Sequence, residues 1–239
     1  MIKHIYDELA KRWYRGGSIF IYSDTHFNDA EVSTIRKNYI GDLEQVKRIN
    51  SKVGKNDTII FLGDIGDIEF IKKIRGYKVL VMGNHDKGAS NYKRVIKKEI
   101  KYDFDFDYDI YTNGKKVQSE GWVVIDSSEG GLTFERVAED NHLFDEVYEV
   151  PIMISDKVIL SHEPISLPSF MFNIHGHDHS GSTKQINHLN VCAELIDYTP
   201  VCLKSIFEGG YLKNVTSIHR QTIDKQIKNK KERKIKNEN

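Results

Sequence analysis

Three times in its first 86 residues the chain runs through a few β-branched, aliphatic or aromatic residues and stops at side chains able to bind a metal or move a proton. The run 18–22 ends in Ser23-Asp24-Thr25-His26, the run 58–62 in Gly63-Asp64, and the run 78–82 in Gly83-Asn84-His85-Asp86. Short apolar runs closed in this way read as buried strands. Between the first two, Leu43, Val46 and Ile49 fall at helical spacing within 42–53, and 68–74 supplies a shorter helix before the third. Strand, helix, strand, helix, strand is the order of an α/β protein with parallel strands. The polar residues at the carboxyl ends of such strands gather on one edge of the sheet, where ligands bind.

The flanking sequence fills in the rest. Ile2, Ile5, Tyr6, Leu9 and Trp13 predict a leading amphipathic helix closed by Gly16-Gly17, and 89–100 predicts a further helix. The aromatic-Asp alternation of 102–111 reads as a strand with its apolar side inward, and 122–125 and 157–160 read as strands too. Gly114, Gly121, Gly130 and Gly131 mark hairpin-like turns. A strand ending in 174–179, with 189–193 beside it, makes the second half mostly β. The interval between His85 and His162 exceeds what one helix and a few strands need, so 101–141 is expected to be an insertion or cap within a single domain over 1–224. Residues 225–239, with seven basic and two acidic side chains, read as a solvated, frayed tail, with a phosphate-backbone contact as the functional alternative.

Composition narrows the class of function. With 39% hydrophobic residues and 17 glycines in 239, the chain is neither disordered nor collagen-like. Its 35 Lys and Arg balance 35 Asp and Glu, so no whole-molecule field draws it to nucleic acid or a membrane. Two cysteines, Cys192 and Cys202, make no disulfide scaffold and no CxxC metal motif, and read as reduced core thiols. Charges interrupt residues 1–17, and no window reaches the ~18–20 apolar residues of a membrane span, so the cytoplasm is the expected compartment and no membrane partner is expected.

The chemistry resides in five elements: Asp24-x-His26, Gly63-Asp64, Gly83-Asn84-His85-Asp86, Ser161-His162-Glu163 and Gly176-His177-x-His179. In an extended strand, positions i and i+2 point the same way, which would aim Asp24 with His26, and His177 with His179, to one side. Two carboxylates, one amide and four imidazoles exceed what one four-to-six-coordinate ion takes, but suit two adjacent ions sharing a carboxylate. An oxygen and nitrogen set without thiolate fits Mn, Fe, Zn, Co or Ni, whereas Mg is more usually held by oxygen and water. His4, His142, His175, His188 and His219 are expected to be structural or at the surface, and Glu163 to be exposed or to support its neighbour.

In this order, the five elements resemble the motif series of the calcineurin-like metallophosphoesterase superfamily, over Asp24 to His179. The resemblance implies an α/β fold, a four-layer α/β/β/α sandwich with a dinuclear site on one edge of two sheets. It implies two divalent ions, manganese first among those above: Asp24, His26 and His179 on one, Asn84, His162 and His177 on the other, and Asp64 bridging. A water held between the ions would lose its proton and attack phosphorus in line. His85 would contact the phosphate and protonate the leaving oxygen, with Asp86 orienting its imidazole. Ile68 stands where an Arg after Asp67 marks the Ser/Thr protein phosphatases, and the additional parts of the large recombination nucleases are missing. The expected activity is therefore phosphodiester hydrolysis of a small or nucleotide-like substrate. Phosphomonoesterase and nuclease are the alternatives, the latter resting on the basic tail alone, and a non-catalytic scaffold comes last because every motif residue is present.

Overall fold

The computed structural model describes residues 5–36, 38–102, 122–128, 131–182, 185–215, 223 and 225–230. In chain order these form α1 (Asp7–Trp13), β1 (Ile19–Tyr22), α2 (Ala30–Ile35), α3 (Asp42–Lys52), β2 (Thr58–Phe61), α4 (Ile68–Ile71) and β3 (Tyr77–Val81). Then follow β4 (Ile96–Tyr102), β5 (Val123–Ser128), β6 (Gly131–Asp140), β7 (Glu146–Tyr148), β8 (Ile152–Met153), β9 (Val158–Leu160), β10 (Phe172–His175), β11 (His188–Asn190), β12 (Val201–Cys202) and α5 (Leu203–Glu208). The chain divides into two units, Met1–Lys93 with Phe144–Asn239, and Arg94–Leu143.

In the larger unit, one sheet runs β12-β1-β2-β3-β7 and a second runs β11-β10-β9-β8. β1, β2, β3 and β7 are parallel, and β12 closes the edge antiparallel to β1. Alternation along these strands decides what each face buries. Ile19 and Ile21 of β1, Ile60 and Leu62 at β2, and Val79 and Val81 of β3 share one cluster with Val158, Leu160, Phe172, Ile174 and Val191 from the second sheet. The intervening positions serve the other face: Tyr22 donates its hydroxyl to Gln45 of α3 at 2.7 Å, and Phe61 meets the rings of Tyr22 and Phe144 edge-on. The central strands are thus buried on both faces, which accounts for their unalternating apolar sequence. The fold is α/β with several sheets and few helices, as the motif order implies.

Residues 89–100 do not form the expected helix. Ala89–Asn91 make a single 3-10 turn, and Ile96–Tyr102 form β4 of the smaller unit, a three-stranded antiparallel sheet in the order β4-β6-β5. Ile96 and Ile100 are spaced for a helix, but cross-strand pairing decides the outcome. Lys97 faces Glu139 and Glu99 faces Arg136 in register, with ion pairs of 2.5 and 2.6 Å. The aromatic-Asp run beyond Tyr102 lies outside the described residues. So does 231–239, whereas 225–230, read as frayed, is helical, in keeping with its Lys, Gln and Ile content. Among the described residues no helix is long and apolar enough to cross a membrane.

The smaller unit is tied at its base by Arg94, whose guanidinium forks onto both oxygens of Asp140, with Nε at 2.9 Å, while the His142 amide adds a bond of 2.8 Å. The Arg94 hydrogen bonds bring the Asp140 carboxyl from 3.8 to about 2. A carboxylate pKa depressed in the folded state stabilises above the unfolded value, and that contribution disappears as pH falls from about 4 toward 2. Asp140→Asn is expected to cost about 1–2 kcal/mol at pH 7, with the difference shrinking below pH 4 and lost only as pH falls through about 2. Hydrogen exchange of the β4 and β6 amides across that range checks it, and equal protection at pH 7 would remove the assignment.

Candidate metal centre

The side chains expected to converge do so, but by a different backbone route. Asp24 and His26 are not alternate residues of an extended strand: their φ angles are 56° and 44°, and Asp64 and His177 have φ of 53° and 64°. Left-handed residues bend the chain back, and for non-glycine side chains each costs of the order of 1–3 kcal/mol and persists only where the surroundings over-determine it. Here they do. Beyond the ends of β1 and β2 the two loops stay paired, with the Asp24, His26 and Phe27 amides donating to the carbonyls of Gly63, Asp64 and Ile65 at 2.9–3.1 Å. Gly63, at φ +89°, is needed both for its turn and because a Cβ there would stand 2.4 Å from the Gly83 nitrogen. Gly176 is needed for space alone, since a Cβ would fall 2.2 Å from Asp24 Oδ2.

Two groups of donor atoms result. Asp24, His26 and His179 form one, and Asp64, His162 and His177 the other, each with its ligand atoms within 4.8 Å of one another. In the first, Asp24 Oδ1 lies 3.5 Å from His179 Nε2 and 3.9 Å from His26 Nε2. In the second, His162 Nε2 lies 2.8 Å from Asn84 Oδ1, 3.1 Å from His177 Nδ1 and 3.3 Å from Asp64 Oδ2. Asp64 Oδ2 is also 3.5 Å from His26 Nε2, so one carboxylate oxygen serves both groups.

The atoms of these groups fit cations. Among the described residues, Asp24 Oδ1 and His26 Nε2 are buried with no hydrogen-bond partner, an expensive condition for a carboxylate oxygen. His162 Nδ1 sits 2.7 Å from the Leu62 carbonyl and so carries the ring proton, which leaves Nε2 facing three electron-rich atoms. Such a nitrogen needs positive charge beside it. Where no metal is bound, a second ring proton supplies that charge: burial lowers the His162 pKa, but the Asp64 and Asp24 carboxylates outweigh burial and raise it to about 9, so a metal ion at Nε2 would take the place of a proton. For Asp64, burial pushes the carboxyl up, yet hydrogen bonding to His162 and its charge bring it below the usual range.

Supporting residues hold the ligands by their far sides, as metal sites require. His26 Nδ1 meets Asp29 Oδ2 at 3.2 Å. Asp24 Oδ2 accepts from the His177 amide at 2.9 Å and from Cys192 Sγ at 3.2 Å, leaving Oδ1 to the group. His179 Nδ1 meets Glu194, which raises the imidazole pKa, and Glu194 lies 3.5 Å from the buried Arg36 guanidinium. Arg36 in turn donates to the carbonyls of Asp24 and Thr25. Glu194 was readable, because it closes the short apolar run 191–193 as the other motif residues close theirs. Arg36 lies just after α2 and carries no sequence signal; only the folded loop brings it here.

His85 is exposed, donates its amide to Asp64 Oδ1 at 3.0 Å, and has its ring centroid 5.7 Å from that of His26. Asp86 does not take the expected part of orienting the His85 imidazole. Its oxygens accept from the amides of Gly83, Asp64 and Ile65 at 2.8, 3.0 and 3.1 Å, so it braces the loop carrying the shared carboxylate. His175, read as structural, is fully buried, 2.8 Å from the Gly176 carbonyl and ring-to-ring with His188. Glu163 is exposed, and His4 and His219 lie outside the described residues.

A family model for calcineurin-like phosphoesterases matches residues 17–192, which includes every motif residue of the two groups. The chain belongs to the calcineurin-like phosphoesterase family. Its chemistry is therefore that of a hydrolase acting on phosphoesters with divalent metal, and the two donor groups are where this phosphoesterase can hold such ions. A solved structure of a protein of unknown function from Aquifex aeolicus is similar at 18% identity and a TM-score of 0.49, covering 80% of this chain and 98% of that one. No curated protein sequence matches.

Glu194→Ala should weaken metal uptake by about 10–100-fold, because His179 loses the partner that fixes its ring. Titration of chelator-treated protein with Mn²⁺ measures this, and an unchanged affinity would show that Glu194 does not support the site.

Proposed function

We propose that the protein is a phosphodiesterase for small or nucleotide-like substrates, working in the cytoplasm with two divalent cations, manganese first and Fe, Zn, Co or Ni allowed by the same donors. The observation that carries this reading is Asp64 Oδ2, placed 3.5 Å from His26 Nε2 and 3.3 Å from His162 Nε2. Two divalent cations held by these residues would supply a water of lowered pKa and positive charge for the phosphoryl oxygens. Hydrolysis adds a water oxygen to phosphorus and breaks the bond to the ester oxygen opposite, which leaves carrying a proton. His85 is the donor in this reading: its backbone is anchored on Asp64 and its side chain is exposed at the mouth of the site. Asp24, His26 and His179 hold one side, Asn84, His162 and His177 the other, and Asp86 keeps the Asp64 loop in place. Asp67 caps α4 through the Glu69 amide and is followed by Ile68, which separates the chain from the Ser/Thr protein phosphatases.

Metal-stripped protein re-supplied with Mn²⁺ is expected to hydrolyse bis(p-nitrophenyl) phosphate faster than p-nitrophenyl phosphate. Asp64→Asn should reduce both activities to background and lower metal content, since it removes the negative charge shared by the two groups; full activity would sink the dinuclear reading. A monoester preference would make the protein a phosphatase, and two bound metals without turnover would make it a scaffold.

His85→Ala should keep both metals and lose about 10²–10⁴-fold in kcat. The loss should shrink as the leaving group becomes more acidic, and an undiminished kcat on an alkyl ester would remove the proton-donor role.

A further inference from the structure

The pairing between the loops after β1 and β2 holds Asp24, His26 and Asp64 in their left-handed conformations, but it does not reach His177. His177, at φ 64°, sits inside a three-residue turn closed by the Asp178 amide, which donates to the Gly176 carbonyl at 2.7 Å. A three-residue turn with positive φ at its centre is the rare, strained form of the γ-turn. It persists only where its neighbours over-determine it.

The peptide unit that leads into this turn is tied at both ends. Its N–H, carried by His177, donates to Asp24 Oδ2 at 2.9 Å. Its C=O, the Gly176 carbonyl, accepts from His175 Nδ1 at 2.8 Å as well as from the Asp178 amide. A carbonyl oxygen can only accept, so Nδ1 carries the ring proton. Imidazole, peptide and carboxylate therefore form one chain, in which each hydrogen bond polarises the next. With Oδ2 engaged, Asp24 keeps Oδ1 toward His26 and His179 in the first donor group. The residue that this peptide unit opens, His177, belongs to the second.

Packing alone does not call for an imidazole here. His175 ends β10, is fully buried, and meets the His188 ring at 5.4 Å between centroids. Its Nε2 is buried with no hydrogen-bond partner among the described residues. A ring with one of its two nitrogens unsatisfied is costlier to bury than an aliphatic side chain of similar size. What the imidazole adds over such a side chain is the proton at Nδ1, aimed at the carbonyl that begins the turn.

We propose that His175 is a positioning residue of the metal centre: it fixes the Gly176–His177 peptide unit, and through it the orientation of Asp24 and His177, one ligand from each donor group. The proposal rests on the reading of the two groups as metal sites and is independent of which ester is hydrolysed.

His175→Asn and His175→Leu separate the hydrogen bond from the packing. The Asn amide nitrogen can stand where Nδ1 stands while the rest of the ring is lost, whereas Leu fills the space and donates nothing. Chelator-treated wild type and both variants are titrated with Mn²⁺, and the metal-free proteins are melted. His175→Leu is expected to bind Mn²⁺ about 10–100-fold more weakly. His175→Asn should stay close to wild type in affinity, although the cavity it leaves makes it the less stable of the two variants. In the metal-free proteins the His177 amide proton, followed by NMR, should move upfield in His175→Leu and hold its place in His175→Asn. Wild-type affinity in His175→Leu, an equal or greater loss in His175→Asn, or an unmoved His177 amide would overturn the proposal and leave the metal reading standing. A His175→Leu protein that does not fold would show the ring to be structural and overturn it as well. Wild type that takes up no Mn²⁺ would overturn the metal reading and the proposal together.

Discussion

Asp64 Oδ2 lies between an imidazole from the loop after β1 and an imidazole from the loop after β9, and the arrangement of the larger unit follows from keeping it there. The other oxygen, Oδ1, accepts the His85 amide, and the residue's own amide is held by Asp86. A carboxylate confined on all sides in this way cannot relax when its neighbours move. Its burial is tolerable because imidazoles and amides surround it, and a divalent cation held by either donor group would add to them.

That confinement requires an unusual backbone. Asp24, His26, Asp64 and His177 all take left-handed conformations, and paired amides and carbonyls continuing beyond the strand ends hold the first three. Two sheets sharing one apolar cluster bring the β9 and β10 ends against the β1 and β2 ends, and Gly63 and Gly176 give the clearance that lets the loops touch. Strain stored at the site is thus offset by the packing beneath it, the usual relation between a functional edge and its scaffold. The supporting residues extend the same logic outward: Glu194 holds His179, Arg36 holds Glu194, and Arg36 also clamps the carbonyls of the loop that carries Asp24 and His26.

Much of this was legible in the chain. The buried strands announced themselves because residues covered on both faces must be apolar without alternation, and the ligand residues because polar side chains at the ends of such strands are otherwise costly. Glu194 obeys the same rule. Where a pattern fits two periods, the sequence misleads: 96–102 suits a helix by the spacing of Ile96 and Ile100, yet pairs as β4 through charges contributed by β6, residues that local reading does not connect. Asp86 misleads differently. Its position beside His85 suggests an imidazole partner, but the tight turn aims its carboxylate back at three amides.

The sequence by itself determined the α/β class, the parallel run of the first three strands and the identity of the side chains at the strand ends, because burial and periodicity are written locally in residue type. Only the tertiary structure decided how those side chains meet, through left-handed turns in place of strand alternation. It alone showed which atoms remain without partners among the described residues and that Arg36, Cys192 and Asp86 brace the site. These depend on distances between segments far apart in the chain, which the packing of two sheets sets and no local pattern encodes.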